Sequence, residues 1–422
     1  MKRFISLCVA LLAVLAVWPG SVRAAPTEIS FWTFINIESS DPRSAALKSV
    51  VDSFNSSQDA YKVAVQSINW ARLDNAVIQA TAAGQGPDVL NVYSQLLPRH
   101  MAAGTLKSLN PYFSKLSAAE QDDFVMPLKY LKTGSDLMAL PWESRVWLMY
   151  YRKDLLENAG LGMPTTMDEL AKAAAAVSND QVMGFAVGAS EAQNGVGTYE
   201  TFLPLLWSAG GDMTDESGKA TFNSDAGVKV ASYFRDLVKN NGMKASVTGM
   251  SADDMLSGIK AGTIAIEING SHRVASARNA AATGDNLGVG PIPSWTPGGK
   301  SIPSVAGQTL TIGANSKNPD GAWTFIQHYL SAESQAAFAQ AGVLPSRLSS
   351  LDSGFFKDDP LGREMSEWAT YGAQGRLNRA PSDVSKMSQE LARAVQKIIL
   401  KGTDPKKALD EAATIYDAQH KE

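Results

Sequence analysis

The segment GQGPDVLNVY, residues 84–93, decides the fold class, because it ends one predicted helix and begins a short apolar strand. Its two glycines and Pro87 break the helix, and its last six residues, DVLNVY, are mostly apolar and are bounded like a short buried strand. Upstream, YKVAVQSI at 61–68 and EISFWTFI at 28–35 are typical of strands, and Pro42 begins a helix between them. The order strand, helix, strand, helix, strand predicts an α/β fold with a parallel-type sheet and flanking helices.

Ligands of such sheets bind at the carboxyl ends of the strands. In this chain those ends carry aromatic and amide side chains, namely Trp32, Asn36, Trp70, Tyr93 and Gln95. We expect these five residues to contact a ligand. Asp88 begins the third strand and either contacts the ligand or braces its loop.

A second strand–helix series begins inside LPWESRVWLMYYRKDLLENAGL, residues 140–161. Strands are predicted at 146–151, 263–268 and 308–314, and the tail is helical. The Gly- and Pro-rich segment 286–303 is predicted to be either a crossing or an exposed hairpin. The aromatic residues of the quoted stretch serve either a core or a ligand platform, and the sequence leaves both open.

Residues 1–24 are typical of a secretory signal peptide: a short basic start, an apolar run to Val17, and small residues before a cleavage site after Ala24. Cys8, the only cysteine, lies inside this signal and too early for a lipoprotein anchor. The mature chain would therefore lack thiol and disulfide chemistry. We expect the cleaved, unanchored protein to reside in a bacterial periplasm.

The mature chain is mildly acidic, because the signal removes three basic residues and lowers the formal net charge from −4 to −7. Such a charge gives no electrostatic reason to expect a nucleic-acid or membrane partner. The sequence lacks the common nucleotide-binding, zinc-protease, esterase and calcium-binding motifs. Its four histidines are scattered. We therefore expect no catalytic residue, no metal site and no cofactor.

Several motifs occur in order along almost the whole mature chain: ISFWTF, AAGQGPDVL, AAGTLKSLNPYF, the quoted 140–161 stretch, MPTTMDELAKA, GGDMTDESGKATFNSDAG, IKAGTIAIEINGSH, ANSKNPDGAWTFIQHYL and KGTDPKKALDEA. Together they resemble the extracellular solute-binding proteins of ABC importers, in the sugar-binding group that includes maltose-binding protein. The resemblance implies a two-lobed periplasmic-binding-protein fold with a ligand cleft between the lobes. It places lobe one at 27–136 and 286–340, and lobe two at 137–285 and 341–422.

The resemblance also implies a function without chemistry: a monomer captures a mono- or oligosaccharide by lobe closure and delivers it to the permease subunits. An alternative is the same scaffold binding an anionic solute, such as a uronate or a glycerol phosphate. Two other readings are a secreted α/β enzyme, for which no catalytic pair is visible, and a receptor that mainly serves a chemosensory partner.

Further ligand contacts are expected where the family places its cleft: Trp142, Glu143, Trp207, Asn269, Gln308 and Arg376, the last of which flanks a turn together with Arg379. Two positions depart from the family pattern. Arg145 stands where many relatives have an acid, and His272 stands where a stacking Trp is frequent. Because a guanidinium binds carboxylates and phosphates bidentately, Arg145 favours the anionic alternative. The other interpretation is that Arg145 pairs with Glu143 or Glu267 and that His272 packs.

Overall fold

The structure is a computed structural model that describes residues 25–377 and 384–420. The predicted signal peptide, residues 1–24, and Arg379 lie outside the described residues. The strands are β1 (Thr27–Thr33), β2 (Tyr61–Ser67), β3 (Val89–Tyr93), β4 (Lys132–Thr133), β5 (Asp136–Leu137), β6 (Leu140–Pro141), β7 (Arg145–Arg152), β8 (Met183–Ala186), β9 (Ile264–Gly270), β10 (Leu287–Gly290), β11 (Ser304–Ala306), β12 (Gln308–Ile312) and β13 (Arg376–Leu377).

The helices cover the faces of the sheets. They are α1 (Pro42–Ser57), α2 (Trp70–Ala82), α3 (Leu97–Ala102), α4 (Asn110–Phe113), α5 (Ala118–Gln121), α6 (Lys153–Asn158), α7 (Met167–Val177), α8 (Val196–Ser208), α9 (Asp225–Lys239), α10 (Ala252–Ala261), α11 (Val274–Arg278), α12 (Pro319–Tyr329), α13 (Ala332–Gln340), α14 (Gly354–Asp358), α15 (Pro360–Gly372), α16 (Val384–Lys401) and α17 (Pro405–His420). None of those described is long and apolar enough to cross a membrane.

Two main sheets organise the chain. The first has the order β2-β1-β3-β12-β6, in which β1 runs parallel to β2 and β3 while β12 is antiparallel to its neighbours. The predicted strand–helix alternation over residues 28–93 is therefore confirmed. The second has the order β13-β11-β7-β9-β8, and β10 also pairs with β7. It is mixed, because β7 is antiparallel to β9, β10 and β11.

The segment 286–303 is not an exposed hairpin. Its first residues form β10 against β7, and Leu287 is buried there. The chain leaves the second sheet only after β11, at Gly307. A Cβ at Gly307 would lie 1.9 Å from the carbonyl oxygen of Glu143, so only glycine fits this crossing. We therefore propose a lobe boundary at Gly307 rather than at residue 286.

The chain crosses between the two sheets first between β6 and β7 and again between β11 and β12. These two crossings lie side by side. Thr309 pairs with Pro141 in the first sheet, and Val305 pairs with Val146 in the second. Between these pairs, the backbone N–H of Trp142 donates to the carbonyl of Gln308 at 3.0 Å. The residues that connect the sheets are thus themselves hydrogen-bonded.

Strand β7 shows how the quoted aromatic stretch is used. Val146, Leu148 and Tyr150 pack in one apolar layer, whereas Trp147 and Met149 pack in another. This alternation follows from the two-residue period of a strand. The stretch therefore supplies core residues on both faces, and only its first residues approach the crossing.

Candidate ligand-binding site

Glu143, at the first crossing, lies at the centre of a group of charges. Its carboxylate is 1% exposed and pairs with Arg145, the first residue of β7, and with Arg43. Arg43 stands in the first turn of α1, which begins where the Asp41 side chain accepts the backbone N–H groups of Arg43 and Ser44. Burial, and then the charge of Arg145, lowers the pKa of Arg43 to about 9. One carboxylate thus neutralises two guanidiniums only in part.

Arg145 also contacts a residue of the first sheet. Its guanidinium carbon lies 5.4 Å from the ring centre of Tyr93, at the end of β3, which is a cation–π geometry. Burial raises the pKa of Tyr93 to about 12, and the charge of Arg145 opposes that rise. The Tyr93 hydroxyl therefore stays neutral at physiological pH and is able to donate a hydrogen bond.

The second sheet contributes Trp147, His272 and their neighbours. The rings of Trp147 and His272 are 6.4 Å apart, and the bare backbone of Gly270 leaves room for the imidazole. Burial, followed by the charges of Arg145 and Arg273, lowers the pKa of His272 well below its ordinary range. His272 is therefore neutral, and it offers hydrogen bonds rather than a charge.

Glu200, on α8, adds a second carboxylate to this place. Burial raises its pKa to about 7, while the charge of Arg273, the indole N–H of Trp147 and the charge of Arg145 oppose the rise. A perturbed carboxylate in a concave place is typical of a functional site. We name the whole group the inner cluster: Arg43, Tyr93, Glu143, Arg145, Trp147, Glu200, His272 and Arg273.

Three buried polar atoms of the inner cluster have no hydrogen-bond partner among the described residues. They are Nε of Arg43, Nε1 of Trp147 and Nδ1 of His272. The Trp147 indole lies near Glu200 without completing a hydrogen bond. Each buried unsatisfied polar group costs about 1–3 kcal/mol. A polar ligand at this place would supply the missing partners.

Next to the inner cluster lies an open space of about 570 Å³, which we name the outer cavity. Trp70, Tyr93 and Gln95 line it from the first-sheet side, and Gln193, Asn194 and Ser388 line it from the other side. Its volume falls in the range of small-molecule sites. Tyr93 belongs to both the inner cluster and the outer cavity, so the two are contiguous.

Three predicted contacts serve the interior instead. Asp88 accepts hydrogen bonds from the N–H and hydroxyl of Ser30, both at 3.0 Å, and from the hydroxyl of Ser316 at 2.6 Å, so it braces its loop. Trp142 is fully buried and donates to Oδ1 of Asn91 at 2.7 Å. Gln308 is also buried, and its Oε1 accepts from Nδ2 of Asn91 at 2.6 Å. We therefore leave these three side chains out of the proposed site, although Arg43 lies 5.2 Å from the ring centre of Trp142 and Nε2 of Gln308 has no partner among the described residues.

Trp207 and Arg376 lie close to each other rather than to the inner cluster. The indole of Trp207 donates to Asp212 at 2.9 Å, and the Arg376 guanidinium lies 3.7 Å from that same carboxylate. Arg376 also stands 6.0 Å from the ring centre of Trp207. We therefore leave this pair out of the proposed site.

The remaining predicted residues, Trp32, Asn36 and Asn269, line neither the inner cluster nor the outer cavity. Asn269 donates to Glu267 at 3.0 Å and accepts the N–H of Gly270 at 2.9 Å, so it fixes the turn that carries His272. Trp32 is half-buried against the core, and Asn36 is exposed, where it accepts the backbone N–H of Glu38 at 3.2 Å. None of these three makes a recorded contact with the inner cluster in the described part of the chain.

Sequence reasoning missed Arg43, Glu200 and Arg273. Arg43 had a signal, since it follows a helix start directly after the first strand, at the ligand edge of the sheet. Glu200 also had one, because it is a lone charge in the otherwise apolar helix VGTYETFLPLLWS. Arg273 has no comparable signal in its sequence surroundings.

Comparison with known proteins identifies the family. The family model described as bacterial extracellular solute-binding protein matches residues 38–336, and the chain belongs to this family. A probable ABC transporter-binding protein of Deinococcus radiodurans is 26% identical over 65% of this chain and 67% of its own length. The sn-glycerol-3-phosphate-binding periplasmic protein of Yersinia pestis is 27% identical over 90% of this chain and 87% of its own.

Solved structures share the fold. The cyclic alpha-maltosyl-1,6-maltose binding protein of Arthrobacter globiformis aligns with a TM-score of 0.80 at 19% identity, over 94% of this chain and all of that one. The sugar-binding protein MalE of Xanthomonas citri gives 0.80 at 20% identity, over 93% and 97%. The expected two-lobed α/β fold and the resemblance to the solute-binding family are thereby confirmed.

Proposed function

We propose that this solute-binding protein captures a carbohydrate at the inner cluster and delivers it to the permease of an ABC importer. The observation that carries the proposal is the set of unpartnered polar atoms on Arg43, Trp147 and His272. Two aromatic rings accompany them in the inner cluster, that of Tyr93 under the Arg145 guanidinium and that of Trp147 beside His272. A sugar has apolar C–H faces and a rim of hydroxyls, which such rings and polar groups complement. The sugar-binding names of the similar structures support the same class.

Capture would proceed by closure around the crossing. Tyr93 ends β3 of the first sheet, and Arg43 lies on α1, which packs against β2 of that sheet. Trp147 lies on β7 of the second sheet, and Glu200 and His272 lie on α8 and on the turn after β9, next to that sheet. A ligand that contacts both groups binds best when they face each other, so it shifts the population toward the closed form. Closure also excludes water and strengthens each hydrogen bond.

A second candidate ligand is an anionic solute, such as a uronate or a glycerol phosphate. The inner cluster holds three guanidiniums, of which those of Arg43 and Arg145 share the single carboxylate of Glu143 while that of Arg273 pairs with Asp253. Guanidiniums bind carboxylates and phosphates through parallel hydrogen bonds. The name of the Yersinia pestis relative states a phosphate ester as its ligand, which supports this candidate.

We also propose a cellular location and protein partners for this chain. The signal peptide would be cleaved after Ala24, and the mature chain would act as a periplasmic monomer that makes no change to its ligand. Its partners would be the permease subunits of the importer. The names of the Deinococcus and Yersinia relatives support the transporter and the periplasm.

Thermal unfolding of residues 25–422 against a panel of neutral sugars, uronates and glycerol 3-phosphate tests the ligand. A ligand at 100 times its Kd stabilises the folded state by about 2.7 kcal/mol. A shift of the unfolding temperature with a neutral sugar is the expected result. A shift only with anionic ligands would replace the sugar by the second candidate, and no shift with any of them would contradict both.

A further inference from the structure

The outer cavity has an aromatic wall that none of the described residues covers. Trp70 is 42% exposed, and it is the only aromatic among the exposed large hydrophobic residues of the described chain. Its ring meets Phe34 at 5.0 Å and Tyr93 at 5.7 Å, both in T-shaped contacts. Exposed apolar surface inside a concave place marks a binding surface.

The facing wall is a strained turn. Gln193 and Asn194 have φ of 53° and 58°, and Gly195 follows with 73°, so three successive residues adopt the left-handed conformation. For residues other than glycine this conformation costs about 1–2 kcal/mol each. A Cβ at Gly195 would lie 2.4 Å from the carbonyl oxygen of Ser388, so packing against α16 holds the turn in place. Strain of this kind concentrates at ligand clamps.

The turn is hydrogen-bonded to the inner cluster. The amide nitrogen of Gln193 donates to Asp253 at 2.6 Å, and the same carboxylate pairs with Arg273 at 2.8 Å. On its other side, Asn194 accepts from Gln389 at 2.9 Å. Gln193 is therefore held facing the cavity by a partner that also positions a residue of the inner cluster.

We infer that the ligand is at least two sugar units long and that Trp70 and Gln193 determine this length. The inference rests on the proposed function. One unit occupies the inner cluster, and the second lies in the outer cavity, with its apolar face on Trp70 and its hydroxyls toward the 193–194 turn. Tyr93 lies under the linkage, because it borders both spaces.

Titration calorimetry on residues 25–422 with matched sugar pairs tests this inference: glucose with maltose and trehalose, mannose with mannobiose, and galactose with melibiose. A disaccharide should bind at least ten times more tightly than its monosaccharide, since one stacked ring contributes on the order of one power of ten in affinity. Trp70→Ala should remove most of that advantage by weakening the disaccharide far more than the monosaccharide, whose own Kd changes only through the contact of Trp70 with Tyr93. Trp70→Phe, which keeps a flat face, should restore part of it.

A second substitution, on the opposite wall of the outer cavity, tests the same inference independently of Trp70. Gln193→Gly relieves a left-handed residue, so it should fold at least as well as the unchanged protein while weakening disaccharide binding several-fold. Asn241→Gly is the matched control, because Asn241 also has a positive φ, of 58°, but does not line the cavity. It should leave every Kd unchanged.

The outcomes separate the two proposals. Equal affinity for the paired mono- and disaccharides, or an unchanged disaccharide Kd in both Trp70→Ala and Gln193→Gly, would overturn the inference about length and leave the proposed function standing. Binding of none of these sugars would overturn the proposed function and the inference together.

Discussion

The inner cluster and the outer cavity are neighbours that share Tyr93, yet they are built on opposite physical principles. The inner cluster buries charge beside the crossing, where Glu143 is 1% exposed and pairs with two arginines. The outer cavity exposes an apolar ring, Trp70, to solvent. Substitutions in the inner cluster should therefore change both the free energy of unfolding and ligand binding, whereas substitutions in the outer cavity should change ligand binding alone.

The largest effect is expected from Glu143→Ala. It leaves two largely buried guanidiniums without their carboxylate, and breaking a buried ion pair in this way costs about 3–5 kcal/mol. Chemical denaturation measures the loss of unfolding free energy. The matched control is Glu191→Ala, whose exposed pair with Arg393 should contribute no more than about 1 kcal/mol. Equal effects of the two variants would contradict the described role of Glu143.

The next effect concerns ligand affinity. Arg145→Met keeps much of the side-chain volume but removes the guanidinium that contacts Glu143 and Tyr93. We expect the Kd of the ligand identified in the thermal-unfolding panel to rise by roughly 30-fold or more. This is the change expected when hydrogen bonds to a charged group, which contribute about 2 kcal/mol or more, are lost. Arg376→Met, whose arginine lies beside Trp207, should leave the Kd unchanged in the same calorimeter.

A smaller effect should appear as a pH dependence of stability. Burial raises the pKa of both Glu200 and Glu267 to about 7, from an ordinary value of 4.5. The folded protein therefore retains protons that the unfolded chain releases. The stabilisation is fully present below 4.5 and is lost as the pH rises through 7. Because these two carboxylates outweigh the opposite contribution of His272, whose pKa is lowered, the unfolding free energy of the ligand-free protein should fall between pH 5 and pH 7.

Two substitutions measure how much of this pH dependence comes from the inner cluster and how much comes from the second sheet. Glu200→Gln should flatten the slope contributed by the inner cluster, while Glu267→Gln should remove only the share of a carboxylate buried within β9. Both variants should also change the slope without abolishing folding. A stability that rises from pH 5 to pH 7 in the unchanged protein, and equally in both variants, would show that neither carboxylate is shifted in this direction.

The smallest effect on stability is expected from Trp70→Ala. Because its ring is largely outside the core, the unfolding free energy should change by less than about 1 kcal/mol. Trp142→Ala is the comparison, since it removes a fully buried ring that packs on Tyr329 and Phe338, and it should cost about 3–5 kcal/mol. Similar losses in the two variants would mean that Trp70 is a core residue.

Local signals predicted the elements well. The strands predicted at 28–35, 61–68 and 88–93 shift by no more than two residues at either end, and the helix at Met167–Val177 begins at a capping box of Thr166 and Glu169. Such features depend on neighbouring residues alone. The fold class followed from their order.

The site was less predictable, because it depends on how distant segments meet. Trp142 and Gln308 stand at strand ends as a ligand contact should, but the paired crossings direct both side chains toward Asn91. Arg43 and Glu143 are 100 residues apart in sequence and form an ion pair. No local pattern carries that information, whereas Arg145 and His272, the two departures from the family pattern, both lie in the inner cluster.

In the proposed site, one ligand contacts both sides of the inner cluster. The most direct test of this double contact is the Kd, measured by titration calorimetry, of Tyr93→Ala on the first-sheet side and Trp147→Ala on the second-sheet side. Both substitutions should weaken the same ligand by ten-fold or more, while each protein retains a cooperative unfolding transition. If either variant binds as tightly as the unchanged protein, the ligand does not bridge the two sides, and the account of the site is contradicted.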